Sequence, residues 1–207
     1  MTGHRTLETR LFLIRHGITT WNKQKRYQGN SDVALAAEGK KQAKALAQLL
    51  SNYRIDALYT SPLRRARDTA LTIGAFSGKK MTLDGRLREL CFGEWEGKTA
   101  RDLLRERDPA YARWAKGELV KPTGGESVHS LRERTRAFLR DCLKRHRGKA
   151  VVIISHGGTI RLMLSSLLNM PLRYTWGMRL DPASMSIVSV SGSMKQLVLL
   201  NQTPYQQ

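Results

Sequence analysis

Residues 11–22 read LFLIRHGITTWN, and residues 150–158 read AVVIISHGG, so the same layout occurs twice in the chain. In each stretch, a run of apolar residues typical of a strand buried on both faces is followed by a histidine and a glycine. In parallel sheets, sites lie beyond the carboxyl ends of the strands. The two stretches therefore predict that His16 and His156 face one crevice.

Strands and helices alternate along the rest of the chain. The predicted strands are Thr9–Arg15, Ala57–Thr60, Met81–Leu83, Ala150–Ser155, Ser184–Val190 and Met194–Leu200. The predicted helices are Glu38–Asn52, Pro62–Phe76, Thr99–Lys116, Ser127–His146 and Thr159–Leu168. The last two strands flank Ser191-Gly192-Ser193 and predict an antiparallel hairpin at a sheet edge. This order predicts an α/β fold, a three-layer α/β/α sandwich around a mostly parallel central sheet.

The length of 207 residues fits one domain, 1–207, with a small cap or insertion in the polar stretch around 91–126. Two helix starts carry contrasting signals. Ala36 and Ala37 offer no side-chain cap at the start of the helix Glu38–Asn52, whereas Ser127 is a candidate cap for the helix Ser127–His146. Cys142 falls on the apolar face of that helix, so we expect it in the core.

The net charge of +19 invites a nucleic-acid interpretation. The basic residues are scattered, however, and the densest stretch, Leu131–Arg147, carries no nucleic-acid motif. We interpret the charge as a solvated basic surface that can steer anionic substrates, and expect no specific nucleic-acid partner. Binding of polyanions on a catalytically silent fold stays as an alternative of another class.

Three signals that the sequence lacks bear on the compartment in which the protein is expected. No apolar run approaches the ~20 residues of a membrane span, so no membrane association is expected. The N-terminal segment, Met1 to Glu8, is polar and lacks the apolar stretch of a signal peptide. The two cysteines, Cys91 and Cys142, form no CxxC pair. Together these features predict a cytoplasmic protein.

A third strand end brings arginine to the two histidines. The strand Ala57–Thr60 leads into SPLRRARDTA, so Arg65 is predicted to join Arg15, His16 and His156. Guanidinium groups bind several phosphoryl oxygens at once, and the cluster is therefore suited to a phosphoryl group. We expect it to capture inorganic phosphate or sulfate, and its positive charge to keep His16 neutral, as a nucleophile requires.

The chain resembles the histidine phosphatase superfamily, also called the phosphoglycerate mutase-like family. The resemblance covers most of the chain and is carried by the stretches LFLIRHGITTWN, RYQGNSDVAL, SPLRRARDTA, LRELCFGEWEGK, GGES and VVIISHGGTIR. It implies a phosphoglycerate mutase-like fold and a phosphomonoesterase, a hydrolase that needs no metal or other cofactor.

The resemblance also implies roles for individual residues. His16 would be the nucleophile that becomes phosphohistidine, and Glu89 the general acid that protonates the leaving oxygen and later activates water. The phosphoryl group would be held by Arg15, Arg65 and His156. The same comparison assigns substrate contacts to Thr19, Asn22, Gln28, Gly29 and Gly157.

Two departures from the family pattern concern the substrate. Ile18 stands where many members carry glutamate, and Gln28 replaces the serine of the mutases. The short chain resembles the phosphatase branch, with α-ribazole 5′-phosphate of cobalamin biosynthesis as one candidate among small phosphate monoesters. Asp181 stands where that group often has asparagine. A broad-specificity phosphatase and a cofactor-dependent phosphoglycerate mutase stay open, as does a homodimer.

Other chemistry finds little support. No metal-binding motif is present, and IISHGG is not a serine-hydrolase elbow. Cys91, two residues past Glu89, is expected at a plain wall position, with a place near the pocket as the alternative. Trp21 and Trp95 are expected in the core, with the leaving-group pocket as the alternative for both.

Overall fold

The computed structural model describes residues 7–205. Of the polar N-terminal segment considered above, residues 1–6 lie outside this range. The strands are β1 (Thr9–Arg15), β2 (Ala57–Thr60), β3 (Met81–Leu83), β4 (Ala150–Ser155), β5 (Met185–Ser191) and β6 (Met194–Gln202). The α-helices are α1 (Thr20–Lys23), α2 (Ala37–Leu50), α3 (Arg64–Ser77), α4 (Ala100–Arg105), α5 (Pro109–Trp114), α6 (Val128–Arg145) and α7 (Gly157–Leu167).

The strands form one sheet in the order β3-β2-β4-β1-β5-β6. β1 pairs in parallel with β4, which places Arg15 opposite Ser155. β2 pairs in parallel with both β4 and β3. On the other side of β1, β5 and β6 are antiparallel and close one edge. The predicted mostly parallel sheet with an antiparallel hairpin at its edge is confirmed.

The alternation of side chains along β1 divides the core between two helical layers. Leu11 and Leu13 pack on one face with residues of α6 and α7, including Phe138. Phe12 and Ile14 pack on the other face with residues of α2 and α3. This arrangement is the three-layer sandwich that the apolar runs of β1 and β4 predict.

The segment between β3 and α6 differs from its prediction. A single helix over Thr99–Lys116 is wrong, because α4 ends at Arg105 and α5 starts at Pro109. The Asp108 carboxylate accepts the Tyr111 N–H and so caps a new helix, and proline at the first helical position favours that start. Buried Trp95, Leu103 and Tyr111 give the segment a small apolar cluster of its own.

The helix starts largely follow the sequence signals. Ala36 makes no side-chain cap, as expected, and the Ser127 hydroxyl accepts the Ser130 N–H at the start of α6. Pro62 was expected in the first turn of α3, but α3 begins at Arg64 with Leu63 as its N-cap residue.

Cys142 is buried in the core as predicted. Within residues 7–205, no helix combines the length and apolar character needed to span a membrane.

Candidate active site

His16 and His156 lie side by side beyond the ends of the paired strands β1 and β4. Their ring centroids are 5.1 Å apart, and both side chains are buried. The backbone holds the two strand ends together, because the His16 N–H donates to the Ser155 carbonyl at 3.0 Å. The two strand ends therefore bring the two histidines together, as the sequence predicts.

The hydrogen bonding of His16 determines which ring nitrogen is free. Its Nδ1 lies 2.7 Å from the carbonyl oxygen of Gly17. Because a carbonyl only accepts, Nδ1 carries the proton and Nε2 keeps its lone pair. The ring therefore presents Nε2 as a nucleophile.

The surroundings keep both imidazoles neutral. Burial lowers the pKa of His16 well below its ordinary value, and the positive charges of Arg65 and Arg15 lower it further. Burial likewise lowers the pKa of His156, with the Arg65 charge next in importance. Neutral His16 was predicted from the charge of the cluster; the larger cause in the structure is loss of water.

Ser61 sets the orientation of His156. The Ser61 hydroxyl accepts the Leu63 N–H at 3.3 Å and lies 2.8 Å from Nε2 of His156. When the hydroxyl donates a hydrogen bond to Nε2, that nitrogen is the acceptor and the proton of the neutral imidazole lies on Nδ1. The Nδ1–H is then the donor that His156 can offer to an anion.

Arg65 is fully buried and is held by the turn at residues 28–31. Its Nη2 donates to the Gly29 carbonyl at 2.6 Å, and its Nη1 donates to the Ser31 carbonyl at 2.7 Å. Burial lowers its pKa to about 10, so the guanidinium stays charged at neutral pH. Gly29 thus orients Arg65 through its carbonyl.

Glu96 holds the same turn from another side. Its carboxylate accepts the N–H groups of Asn30 (2.9 Å) and Ser31 (2.8 Å) and the Ser31 hydroxyl (2.6 Å). It also accepts the Phe92 N–H at 3.1 Å. Gly29 has a φ of +50°, and a Cβ there would lie 2.0 Å from Glu96 Oε1, so only glycine fits.

Arg15 and Arg161 flank the start of α7. Arg15 Nη1 donates to the Leu180 carbonyl at 2.6 Å, and Arg161 Nε donates to the Met178 carbonyl at 2.8 Å. A Cβ placed on Gly157 would lie 3.0 Å from Arg161 Nη1 and 3.5 Å from Arg15 Nε. Two guanidinium groups therefore meet beside Gly157, and burial lowers the pKa of both.

Three buried donors of this cluster have no hydrogen-bond partner within residues 7–205: Arg15 Nε, Arg65 Nε and His156 Nδ1. An unsatisfied buried polar group costs about 1–3 kcal/mol. An anion with several oxygens would satisfy such donors together, which gives a physical reason for leaving them unpaired beside His16.

Thr19, Asn22 and Gln28 form a connected group. The Asn22 carbonyl oxygen accepts the Thr19 N–H, and the Thr19 hydroxyl lies 3.0 Å from that oxygen and 2.9 Å from Gln28 Oε1. Because the buried Thr19 hydroxyl is already engaged, we revise its expected phosphate contact: it positions its neighbours. The amide NH2 groups of Asn22 and Gln28 have no partner within the described residues and are left as donors.

Glu89 lies against the first turn of α7. Its carboxylate accepts the N–H groups of Leu90 (2.9 Å), Gly158 (3.0 Å) and Thr159 (3.1 Å). Gly157, the first residue of the helix, has an N–H that no helical carbonyl can satisfy. The charge of Glu89 acts on Arg15, Arg65 and Arg161, so it belongs to the same cluster.

Arg134 fixes the backbone that carries Glu89. It donates to the carbonyls of Arg86 and Arg88, each at 2.7 Å, and to that of Glu89 at 2.9 Å. An ion pair with Glu126 at 2.8 Å holds the guanidinium in place. The position of Glu89 is therefore determined by α6 and α7 together.

Backbone packs directly on backbone behind His16. A Cβ on Gly17 would lie 2.5 Å from the Gly39 carbonyl oxygen, and a Cβ on Gly39 would lie 2.2 Å from the Ile18 carbonyl oxygen. Neither position has room for a side chain. The loop that bears His16 is thereby seated against the first turn of α2.

The remaining sequence candidates make other contacts, although the charge of Asp181 also acts on Arg15 and Arg161. Trp95 is fully buried and donates from Nε1 to Asp108, which makes it a core residue. Trp21 packs near Gly97, and Cys91 is half-buried with Sγ 4.0 Å from the Gly124 carbonyl. Asp181 binds Asn201 and pairs with Arg179. Residues 7–205 contain no group of three His, Cys, Asp or Glu side chains that could hold a metal.

Several residues of the site were not singled out from the sequence: Ser61, Glu96, Arg134 and Arg161. Ser61, Glu96 and Arg161 stand inside motifs quoted above, whereas Arg134 lies in the helix that follows GGES. Their partners lie 17 to 95 residues away along the chain. Such contacts become visible only when the fold brings them together.

The mostly parallel sheet and the arginine–histidine cluster at its strand ends suit a protein that binds anionic groups. A family model described as "Histidine phosphatase superfamily (branch 1)" matches residues 11–203. The chain therefore belongs to the histidine phosphatase superfamily. It is a phosphatase, a hydrolase like the relatives it resembles.

Three of these relatives differ in their named substrates. Phosphoserine phosphatase 1 of Hydrogenobacter thermophilus is 35% identical over 94% of this chain and 92% of its own length. The adenosylcobalamin/alpha-ribazole phosphatase of Escherichia coli K12 is 30% identical over 93% and 95%. The structure of a mycobacterial glucosyl-3-phosphoglycerate phosphatase complexed with VO3 superimposes with a TM-score of 0.86 at 30% identity, covering 94% of this chain and 99% of that one.

Proposed function

We propose that the protein hydrolyses small phosphate monoesters through a phosphohistidine on His16, without a metal ion. The observation that carries the proposal is the set of three buried, unpartnered donors, Arg15 Nε, Arg65 Nε and His156 Nδ1, around a histidine whose Nε2 is free. The vanadate complex of the mycobacterial relative supports an oxyanion site on this fold.

In the first step, His16 Nε2 attacks phosphorus and the bond to the ester oxygen breaks. The arginines and His156 stabilise the charge on the three equatorial oxygens, which is the main demand of phosphoryl transfer. We assign to Glu89 the transfer of a proton to the departing alcohol. The amide donors of Asn22 and Gln28 are available to orient the phosphoryl group.

In the second step, water attacks the phosphohistidine and the P–N bond breaks. Glu89 takes the proton of this water, which suits the acceptor role that its carboxylate has in the structure. His16 regains its lone pair and phosphate leaves. We further propose that the segment 91–126 acts as a cap over the leaving group and that the substrate is a small metabolite, with α-ribazole 5′-phosphate as one candidate.

The test is hydrolysis of p-nitrophenyl phosphate in EDTA by wild-type protein, His16→Asn and the control His129→Asn. His129 is an exposed residue of α6. We expect activity in the wild type and the control and none in His16→Asn. Radiolabel from a ³²P-labelled substrate should appear on the wild type and the control and be absent from His16→Asn. Loss of activity in EDTA or activity of His16→Asn would refute the proposal. Faster isomerisation of 3-phosphoglycerate than phosphate release, with 2,3-bisphosphoglycerate present, would indicate a mutase.

A further inference from the structure

An aromatic cavity of about 480 Å³ lies between the segment 91–126 and the 3₁₀ turn Leu172–Gly177. Its lining includes five aromatic side chains, namely Tyr27, Phe92, Tyr111, Trp114 and Trp176. The volume falls in the range of about 300–1,000 Å³ that is usual for small-molecule pockets. The cavity is thus large enough for a bicyclic ring system.

Most of the rings that line the cavity keep part of their surface exposed and are not fully packed in the core. Tyr111 is buried, but Tyr27, Phe92, Trp114 and Trp176 are only half-buried. Trp114 meets Trp176 edge to face at 5.5 Å between centroids and Phe92 at 6.0 Å. Aromatic rings attract one another in this edge-to-face geometry, so the exposed faces and edges of these rings can pack against the ring of a ligand.

Two contacts connect the cavity with the phosphoryl cluster. On one side, the Arg161 guanidinium lies 5.9 Å from the centre of the Trp176 ring, and its Nη1 lies beside Gly157 close to Arg15. On the other side, Tyr27 directly precedes Gln28, whose side-chain oxygen Oε1 accepts the hydrogen bond of the Thr19 hydroxyl. A group attached to a phosphoryl at His16 can therefore extend past Arg161 toward the cavity.

The charge of the lining argues against an acidic occupant. Among the described residues that line the cavity none is a cation, and Glu118 is the acidic one. Glu118 is itself paired with Arg113 at 2.7 Å. The lining itself offers a carboxylate no cation, and Arg161 stands only at its edge over Trp176, whereas a planar apolar ring would find aromatic faces throughout.

We propose that this cavity binds a planar aromatic ring in the leaving group, so that the preferred substrates are phosphate monoesters of alcohols that carry such a ring. The proposal rests on the proposed phosphatase reaction of His16 and assigns the part of the substrate that is released. Arg161 stands between the two halves of the site and separates the phosphoryl pocket from the aromatic one.

The experiment compares kcat/KM for 2-phenylethyl phosphate with that for ethyl phosphate, because both release an alkyl alcohol and differ in the ring. The proteins are wild type, Trp176→Leu and the control Tyr174→Leu, an exposed aromatic residue of the same turn that does not line the cavity. We expect a ratio of at least tenfold in the wild type and the control. The ratio should fall at least fivefold in Trp176→Leu, mainly through KM.

A wild-type ratio below about two overturns the proposal whatever the variants do, which covers a Trp176→Leu protein that fails to fold. An unchanged ratio in folded Trp176→Leu, or an equal fall in Tyr174→Leu, also overturns it. Turnover of ethyl and p-nitrophenyl phosphate with no ring preference would leave the phosphatase proposal standing. No turnover of any ester would refute both.

Discussion

Glu96 and Arg65 bind the same turn of the chain through opposite kinds of group. The Glu96 carboxylate accepts N–H groups from residues 30 and 31, while the Arg65 guanidinium donates to the carbonyls of residues 29 and 31. The turn thereby links an acidic residue of the segment 91–126 to a cation of the phosphoryl cluster. A disturbance of Glu96 should reach the chemistry through Arg65.

Glu96→Gln is expected to lower kcat/KM for p-nitrophenyl phosphate roughly tenfold, because displacing a binding group by a fraction of an ångström is costly. The free energy of unfolding should fall by about 1–3 kcal/mol, since the amide replaces an acceptor by a donor facing backbone N–H groups. Steady-state kinetics and chemical denaturation measure both effects. Glu94→Gln, two residues away and exposed, is the control and should match the wild type.

Ser61→Ala removes the hydroxyl that contacts His156 Nε2. We expect kcat to fall about tenfold, because the imidazole then loses the partner that keeps the proton on Nδ1. Ser51→Ala, at an exposed helix end, serves as the matched substitution. Equal activity of both variants would contradict the assigned tautomer.

Inorganic phosphate is expected to stabilise the protein. A ligand at one hundred times its Kd adds about 2.7 kcal/mol, which a thermal shift detects. Arg65→Gln should abolish the shift, whereas Arg64→Gln, the exposed neighbour at the start of α3, should keep it. A shift that survives in Arg65→Gln would place the anion elsewhere.

Acidification should affect stability before it affects the nucleophile. Burial lowers the pKa of His16 and His156 below 6.5, so the unfolded chain takes up protons first as the pH falls. The contribution of the two neutral histidines to the free energy of unfolding is fully present above pH 6.5. It is lost as the pH falls from 6.5 toward their lowered pKa values. Denaturation curves between pH 7.5 and 5 in phosphate-free buffer measure this slope.

Over the same range, kcat/KM should not decline with a midpoint at 6.5, since His16 stays neutral there. A His156→Gln variant should show a shallower loss of stability with pH than the wild type. A decline of kcat/KM centred on pH 6.5 or above would contradict a neutral, buried nucleophile.

The strand ends were predictable because buried strands leave a strong signal. LFLI and AVVI are apolar without alternation, and the histidine that follows each one is fixed in place by the parallel sheet. The sequence signal for the break between α4 and α5 is Asp108-Pro109, a capping residue followed by proline, which the prediction of one helix over Thr99–Lys116 left out of account. Ser61, Arg134 and Arg161 act through distant backbone or ring partners, which local patterns do not reveal.

The backbone contact between Gly17 and Gly39 separates what can vary in this protein from what cannot. Any methyl group at either glycine would push the nucleophile out of line, so that side of the crevice tolerates no redesign. The aromatic cavity, in contrast, is lined by side chains that belong to no strand of the sheet, so their exchange leaves the sheet untouched. New selectivity can therefore be engineered from the aromatic cavity while the reacting nitrogen keeps its place.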